Sequence, residues 1–116
     1  MTITIEEILR ATGGQLLQGD EKSLFQRIST DSRTIGEGEL FVALKGRYFD
    51  GHRFALEVLA KRAGGVVIEE DQAREFRWNG YRPKAVIAVK DTPEELVAAL
   101  LPGTECMTEI DYANSY

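Results

Sequence analysis

The sequence holds one cysteine, Cys106, and one histidine, His52, among 116 residues. A single thiol forms no internal disulfide. One thiol and one imidazole are too few for a zinc cluster or a multi-histidine metal site. A Cys–His nucleophile pair would require two residues far apart in sequence to meet by folding alone. Long hydrophobic runs are missing too: none approaches the ~20 residues that a membrane helix needs, so no membrane partner is expected. The first residues, Met1 to Glu7, lack the basic and apolar regions of a secretory signal, and a cytoplasmic location is expected. Positive charge is outnumbered, with 14 Lys and Arg against 19 Asp and Glu and a net charge of -5. That balance argues against general nucleic-acid binding, which normally needs a basic face. It leaves room for a small anionic ligand, because exposed charges are screened beyond roughly 8 Å and local arginines then outweigh the global sum. No internal repeat and no low-complexity tract breaks the chain.

What is present suits one domain with one modest core. Thr4-Ile5-Glu6-Glu7 has the form of a capping box. It predicts a short helix with Ile5, Ile8 and Leu9 on one face, stopped by Gly13-Gly14. Residues 15–18 and 25–30 read as strands, with Gly19-Asp20 as a turn. Residues 40–44 form a short β-prone apolar run that suits a strand buried on both faces. Asp50 is placed to cap a helix of about three turns buried through Ala55, Leu56, Leu59, Ala60 and Ala63. Gly64-Gly65 would end that helix, and Val66 to Ile68 would follow as a parallel strand in a βαβ unit. Residues 71–84 read as a loop or frayed helix, with Trp78 and Tyr81 over the core edge. Residues 85–89 are a third apolar strand. Thr92-Pro93-Glu94-Glu95 starts a last helix, which ends at Pro102-Gly103. The expected class is α/β, a small, mixed, partly parallel sheet with flanking helices. One domain is expected over 1–101 and a flexible tail over 102–116.

Two polar loops flank the strand at 40–44, and both carry arginine. The first holds Thr30, Asp31, Ser32 and Arg33. Small polar residues leaving a strand expose hydroxyls and N–H groups at a sheet edge, where ligands of open α/β sheets sit. Arg33 has the planar fork that grips phosphate. Asp31 and Arg33 pairing with each other to fix the turn is an equally open alternative. The second loop holds Lys45, Gly46, Arg47, Tyr48 and Phe49. Gly46 permits close backbone approach to a ligand, and Tyr48 or Phe49 offers a face for a base. Phe49 also suits the core, and the cations also suit solvent. Together the loops favour a nucleotide diphosphate over a protein partner or a metal. His52 is read as a locally bonded residue after the cap, and Glu69-Glu70-Asp71 as a solvated acidic loop.

These residues resemble the amino-terminal domain of the Mur ligases, the ATP-dependent amide ligases of peptidoglycan assembly. The shared pattern is Asp31-Ser32-Arg33, then Gly38-Glu39-Leu40-Phe41-Val42-Ala43-Leu44, Gly46, Asp50-Gly51-His52-Arg53-Phe54 and Ala63-Gly64-Gly65. Residues 85–92 continue it, so the resemblance spans about residues 3 to 101. Ala43 to Gly46 followed by Phe49 to His52 looks most like the D-alanyl-D-alanine-adding branch, MurF. The sibling branch MurE, which adds the third amino acid, is the close alternative. The resemblance implies that this domain holds the UDP end of UDP-N-acetylmuramoyl-tripeptide. It puts uridine and diphosphate contacts at Thr30, Ser32 and Arg33, and at Lys45, Gly46, Arg47, Tyr48 and Phe49.

The resemblance also implies a central domain that binds ATP and magnesium and a carboxy-terminal domain that brings the amine. After residue 101 the sequence departs from the family, whose members continue into a Gly-x-x-Gly-Lys-Thr phosphate loop. In Gly103 to Thr108, Cys106 stands where glycine would let the backbone curl around phosphate, and Met107 where lysine would neutralise it. The expectation is therefore a chain with no catalytic residue, no metal ligand and no cofactor of its own, which does not ligate alone. A free-standing α/β interaction module that has lost ligand binding is the alternative from a different class.

Overall fold

Thr4 opens the fold with a reciprocal cap. In the computed structural model, which describes residues 2–43, 51–78 and 80–90, strand β1 (Ile3–Thr4) runs directly into helix α1 (Ile5–Thr12). The Glu7 N–H donates to Thr4 Oγ1 at 3.1 Å, and the Thr4 N–H donates to Glu7 Oε1 at 3.4 Å. The helix ends at Gly13, whose left-handed backbone (φ 70°) turns its N–H onto the Leu9 carbonyl at 2.8 Å. Both ends are as the sequence predicts.

The chain then forms β2 (Gln15–Gly19), β3 (Leu24–Phe25), β4 (Ile28–Ser29) and β5 (Leu40–Val42). A 3-10 turn (Gly51–Phe54) leads into α2 (Ala55–Ala60), followed by β6 (Gly65–Glu69), α3 (Glu70–Ala73) and β7 (Ala85–Val89). The main sheet has the order β2-β7-β6-β5-β4. Strands β4 to β7 are parallel, and β2 lies antiparallel beside β7. The expected parallel βαβ unit is β5–α2–β6. This is the mixed, partly parallel α/β sheet that the sequence implies.

Side chains alternate across the sheet with the period of two that a strand imposes. Leu40, Val42, Val67, Ile87 and Val89 face α1 and Phe25. Phe41, Val66, Ile68 and Val86 face α2 through Ala55, Val58 and Leu59. The sheet is thus covered on both sides, which explains its unbroken apolar strands.

Three expectations are corrected. The single strand expected over 25–30 is two strands in different sheets: β3 pairs with β1, and β4 with β5. Phe25 and Ile28 both enter the layer beneath α1. Three residues apart, they cannot share a face of one regular strand, so the chain must break between them. Helix α2 is six residues rather than about three turns, and it buries Ala55, Val58 and Leu59 while Leu56 and Ala60 are exposed. It ends early because Arg62 turns left-handed (φ 68°). Gly64 and Gly65 do not stop that helix; they make room. A Cβ on Gly64 would lie 2.5 Å from the Gly38 carbonyl oxygen and 2.9 Å from the Phe25 ring.

Smaller differences follow the same logic. Gly19, expected in a turn, ends β2, and its φ of 123° brings it against Lys84. Glu69 ends β6 while Glu70 and Asp71 open α3, so the acidic run is not a loop. Trp78 covers the core edge, packing beside α2's layer and donating from Nε1 to Gln18 Oε1 at 2.7 Å. Tyr81 stays 36% exposed instead. The expected Asp50 cap, the helix after Thr92 and the tail lie outside the described residues.

Candidate functional site

The carboxyl ends of β4, β5, β6 and β7 open on one edge, because the four strands are parallel. Residues 30–33 leave β4 there. Asp31 organises this loop. Its N–H donates to Ser29 Oγ at 3.0 Å, and its Oδ1 accepts the Arg33 backbone N–H at 2.8 Å. Arg33 then folds back, donating from Nε to Oδ1 and from Nη2 to Oδ2, each at 3.0 Å. The backbone bond fixes the turn, and the fork fixes the guanidinium. Of the two alternatives the sequence left open for this pair, the pairing forms; it also sets Arg33 in place, 42% exposed at its side chain.

Lys61 completes the arrangement. It leaves the end of α2 and donates from Nζ to the Ser32 carbonyl at 2.9 Å, tying the loop to the helix. Partial burial pushes the Asp31 carboxyl up, but the hydrogen bonds and charge of Arg33, with the charge of Lys61 behind them, outweigh it and hold Asp31 below the usual carboxylate range. Two cations thus surround one carboxylate. Lys61 also lies 3.9 Å from Glu57 Oε1, so cations and carboxylates balance around the loop, and what the cluster provides is a guanidinium and an ammonium held in fixed positions.

Thr30 and Ser32 are both fully buried. The expected display of their hydroxyls at the sheet edge does not occur, because they alternate with Asp31 and Arg33 and the turn throws the charged pair outward. Lys45, Gly46, Arg47, Tyr48 and Phe49 lie outside the described residues. Ala43, which leads into them, is held in the sheet by its N–H on the Val67 carbonyl at 2.9 Å. Sequence analysis missed Lys61. Its role depends on a helix ending 29 residues beyond its partner, and the only trace in the sequence is a Lys-Arg pair before Gly64-Gly65.

Among the described residues, no group of three or more His, Cys, Asp or Glu could hold a metal ion. No helix of the described residues is long and apolar enough to cross a membrane.

The open, mostly parallel sheet with helices on both faces defines a domain of the α/β class. The chain belongs to the Mur ligase family: the family profile described as "Mur ligase family, catalytic domain" matches residues 24–108. Among solved structures, MurF from Acinetobacter baumannii superposes with a TM-score of 0.66 and 28% identity, covering 86% of this chain and 20% of that one. The UDP-N-acetylmuramoyl-tripeptide–D-alanyl-D-alanine ligase of Escherichia coli is 37% identical over 68 residues, 59% of this chain and 15% of that protein. The UDP-N-acetylmuramoyl-L-alanyl-D-glutamate–2,6-diaminopimelate ligase of Clostridium perfringens is 29% identical over 92 residues, 79% of this chain and 18% of that protein. The chain therefore spans about a fifth or less of the length of these relatives.

Proposed function

We propose that this chain is the substrate-holding amino-terminal domain, over residues 1–101, of a MurF-like ligase of peptidoglycan synthesis, and that it binds the UDP end of UDP-N-acetylmuramoyl-tripeptide. The observation that carries this reading is the Asp31–Arg33 pair where the chain leaves the carboxyl end of β4, tied to the end of α2 through Lys61. It fixes the Arg33 guanidinium where an open α/β sheet takes its ligand. Both kinds of relative bear UDP-N-acetylmuramoyl in their names, so a domain they share suits the portion of substrate they share. Arg33 meets the diphosphate, with Thr30 and Ser32 shaping the loop beneath it. Lys45, Gly46, Arg47, Tyr48 and Phe49 supply the remaining contacts to diphosphate and uracil.

The domain contributes binding energy remote from the reacting atoms. That energy orients the peptide carboxylate without touching it. ATP and magnesium belong to a central domain and the amine to a carboxy-terminal one. The residues of this chain do not fit an ATP phosphate, with Cys106 and Met107 in the places of glycine and lysine. Ligation in the cytoplasm is thus the work of the whole enzyme. The same geometry serves a MurE-type enzyme, a second reading favoured by the diaminopimelate ligases among the relatives. Amine acceptance by the intact ligase, D-alanyl-D-alanine against diaminopimelate, separates the two.

The test is a titration of isotope-labelled chain with UDP-N-acetylmuramoyl-tripeptide, followed by backbone amide shifts. Saturable shifts confined to residues 30–33 and 45–49 are expected, with UDP alone reproducing most of them. Saturable binding that leaves both loops unmoved refutes the assignment.

A further inference from the structure

At the opposite, amino-terminal edge of the parallel strands lies a groove of about 490 Å³, within the size range of small-molecule sites. Its floor is apolar, formed by the buried Leu59, Ala63 and Pro83. Arg62, Arg82 and Lys84 line it together with one carboxylate, Glu37, and the exposed ring of Tyr81. Cations outnumber carboxylates here, against the balance of the whole chain.

Arg62 is the telling residue. The end of α2 is a Schellman motif: the Ala63 N–H reaches the Val58 carbonyl at 2.9 Å, and the Arg62 N–H reaches the Leu59 carbonyl at 3.0 Å. The left-handed position in this motif normally takes glycine, because a Cβ there is strained. Arg62 is the one described non-glycine residue with positive φ. Its backbone carbonyl accepts the Gly38 N–H at 3.0 Å, a bond that glycine would make equally well. Its guanidinium meets no carboxylate of the described residues, nor does that of Arg82. Lys84 is held at the rim, donating from Nζ to the Leu24 carbonyl at 3.2 Å over the Phe25 ring. Backbone N–H groups at the rim, those of Gly38, Gly64 and Lys84, are spent on carbonyls. An anion here must be held by side chains.

We propose that this groove is a second binding site, separate from the 30–33 loop, for a small organic oxyanion. Its phosphate or carboxylate group is gripped by Arg62 and Arg82, and its apolar part lies on Leu59, Ala63 and Pro83. The strain at Arg62 is tolerated for its guanidinium.

Amide shifts of the labelled chain, recorded at low and constant ionic strength during separate titrations with inorganic pyrophosphate and with citrate, test this. Saturable shifts at residues 62–64 and 80–84 are expected from at least one probe, and the stronger probe identifies the anion class. Arg62→Gly should raise thermal stability, since it relieves the left-handed strain, and weaken that binding at least fivefold. Arg82→Ala should weaken it similarly with the fold unchanged. Two results overturn the proposal: shifts spread without saturation over all exposed cations, or groove shifts that survive both substitutions.

Discussion

Replacing Asp31 by asparagine tests how the candidate site is held. The substitution keeps the side chain's size and the Oδ1 that accepts the Arg33 backbone N–H, so the turn persists. It removes the charge and sets an amide N–H₂ against Arg33 Nη2, which now donates to Oδ2 at 3.0 Å. The Arg33 side chain is 42% exposed, so solvent screens the ion pair, and its loss costs about 0.2–1 kcal/mol. Losing one hydrogen bond of the fork adds about 1 kcal/mol. Asp31→Asn should therefore destabilise the chain by roughly 1–2 kcal/mol at pH 7. The pH dependence has a fixed sign. Asp31 titrates below its ordinary value of 3.8 in the folded chain, so as pH falls the unfolded chain takes up this proton first. The carboxylate's contribution is complete above that ordinary value and disappears as pH falls through the lower folded value. Urea unfolding followed by fluorescence of the single tryptophan, Trp78, measures the gap between wild type and variant. It should be constant from pH 7 to about pH 5 and shrink in acid for as long as both remain folded. A gap absent at neutral pH, or undiminished in acid, would refute this account of the loop.

Three other outcomes are expected. Gly64→Ala forces a methyl against the Gly38 carbonyl and the buried Phe25 ring, and should cost about 1–3 kcal/mol in urea unfolding, the range for overpacking. Lys61→Met keeps the side chain's stem but removes the ammonium that donates to the Ser32 carbonyl; calorimetry with UDP-N-acetylmuramoyl-tripeptide should show weaker binding by about fivefold, roughly 1 kcal/mol, with little change in stability. Thr4→Ala removes the hydroxyl that caps α1 and should lower stability by about 1 kcal/mol, with hydrogen exchange accelerated first in residues 6–9.

Where local chemistry decides, the fold is legible in the sequence. The Thr4–Glu7 box, the Gly13 stop and the three apolar runs at 40, 66 and 85 each contain their own cause. The break between Phe25 and Ile28 was hidden because it depends on which layer each side chain joins, a tertiary fact. The length of α2 was hidden because an arginine occupies a position whose usual mark is glycine. At the site, the residues most visible as chemistry, Asp31 and Arg33, do form the organising pair. Thr30 and Ser32 looked equally exposed, and the turn buries them. Lys61 carried no local mark at all, since only the packing of α2 brings it to the loop.

The antiparallel edge of the sheet sets an order of assembly. Strand β2 belongs to the first fifth of the chain, yet among the described residues it pairs only with β7, Gln15 opposite Ala88 and Gly19 opposite Ala85. During synthesis, an early segment with a half-buried Leu16 and an exposed Leu17 must wait about seventy residues for β7, its neighbour in the main sheet. Contacts so distant slow folding and prolong the exposure of an unpaired strand. Any shortened chain that stops before residue 85 should therefore lose both strands from the sheet at once, and become prone to self-association through the uncovered rim of β6.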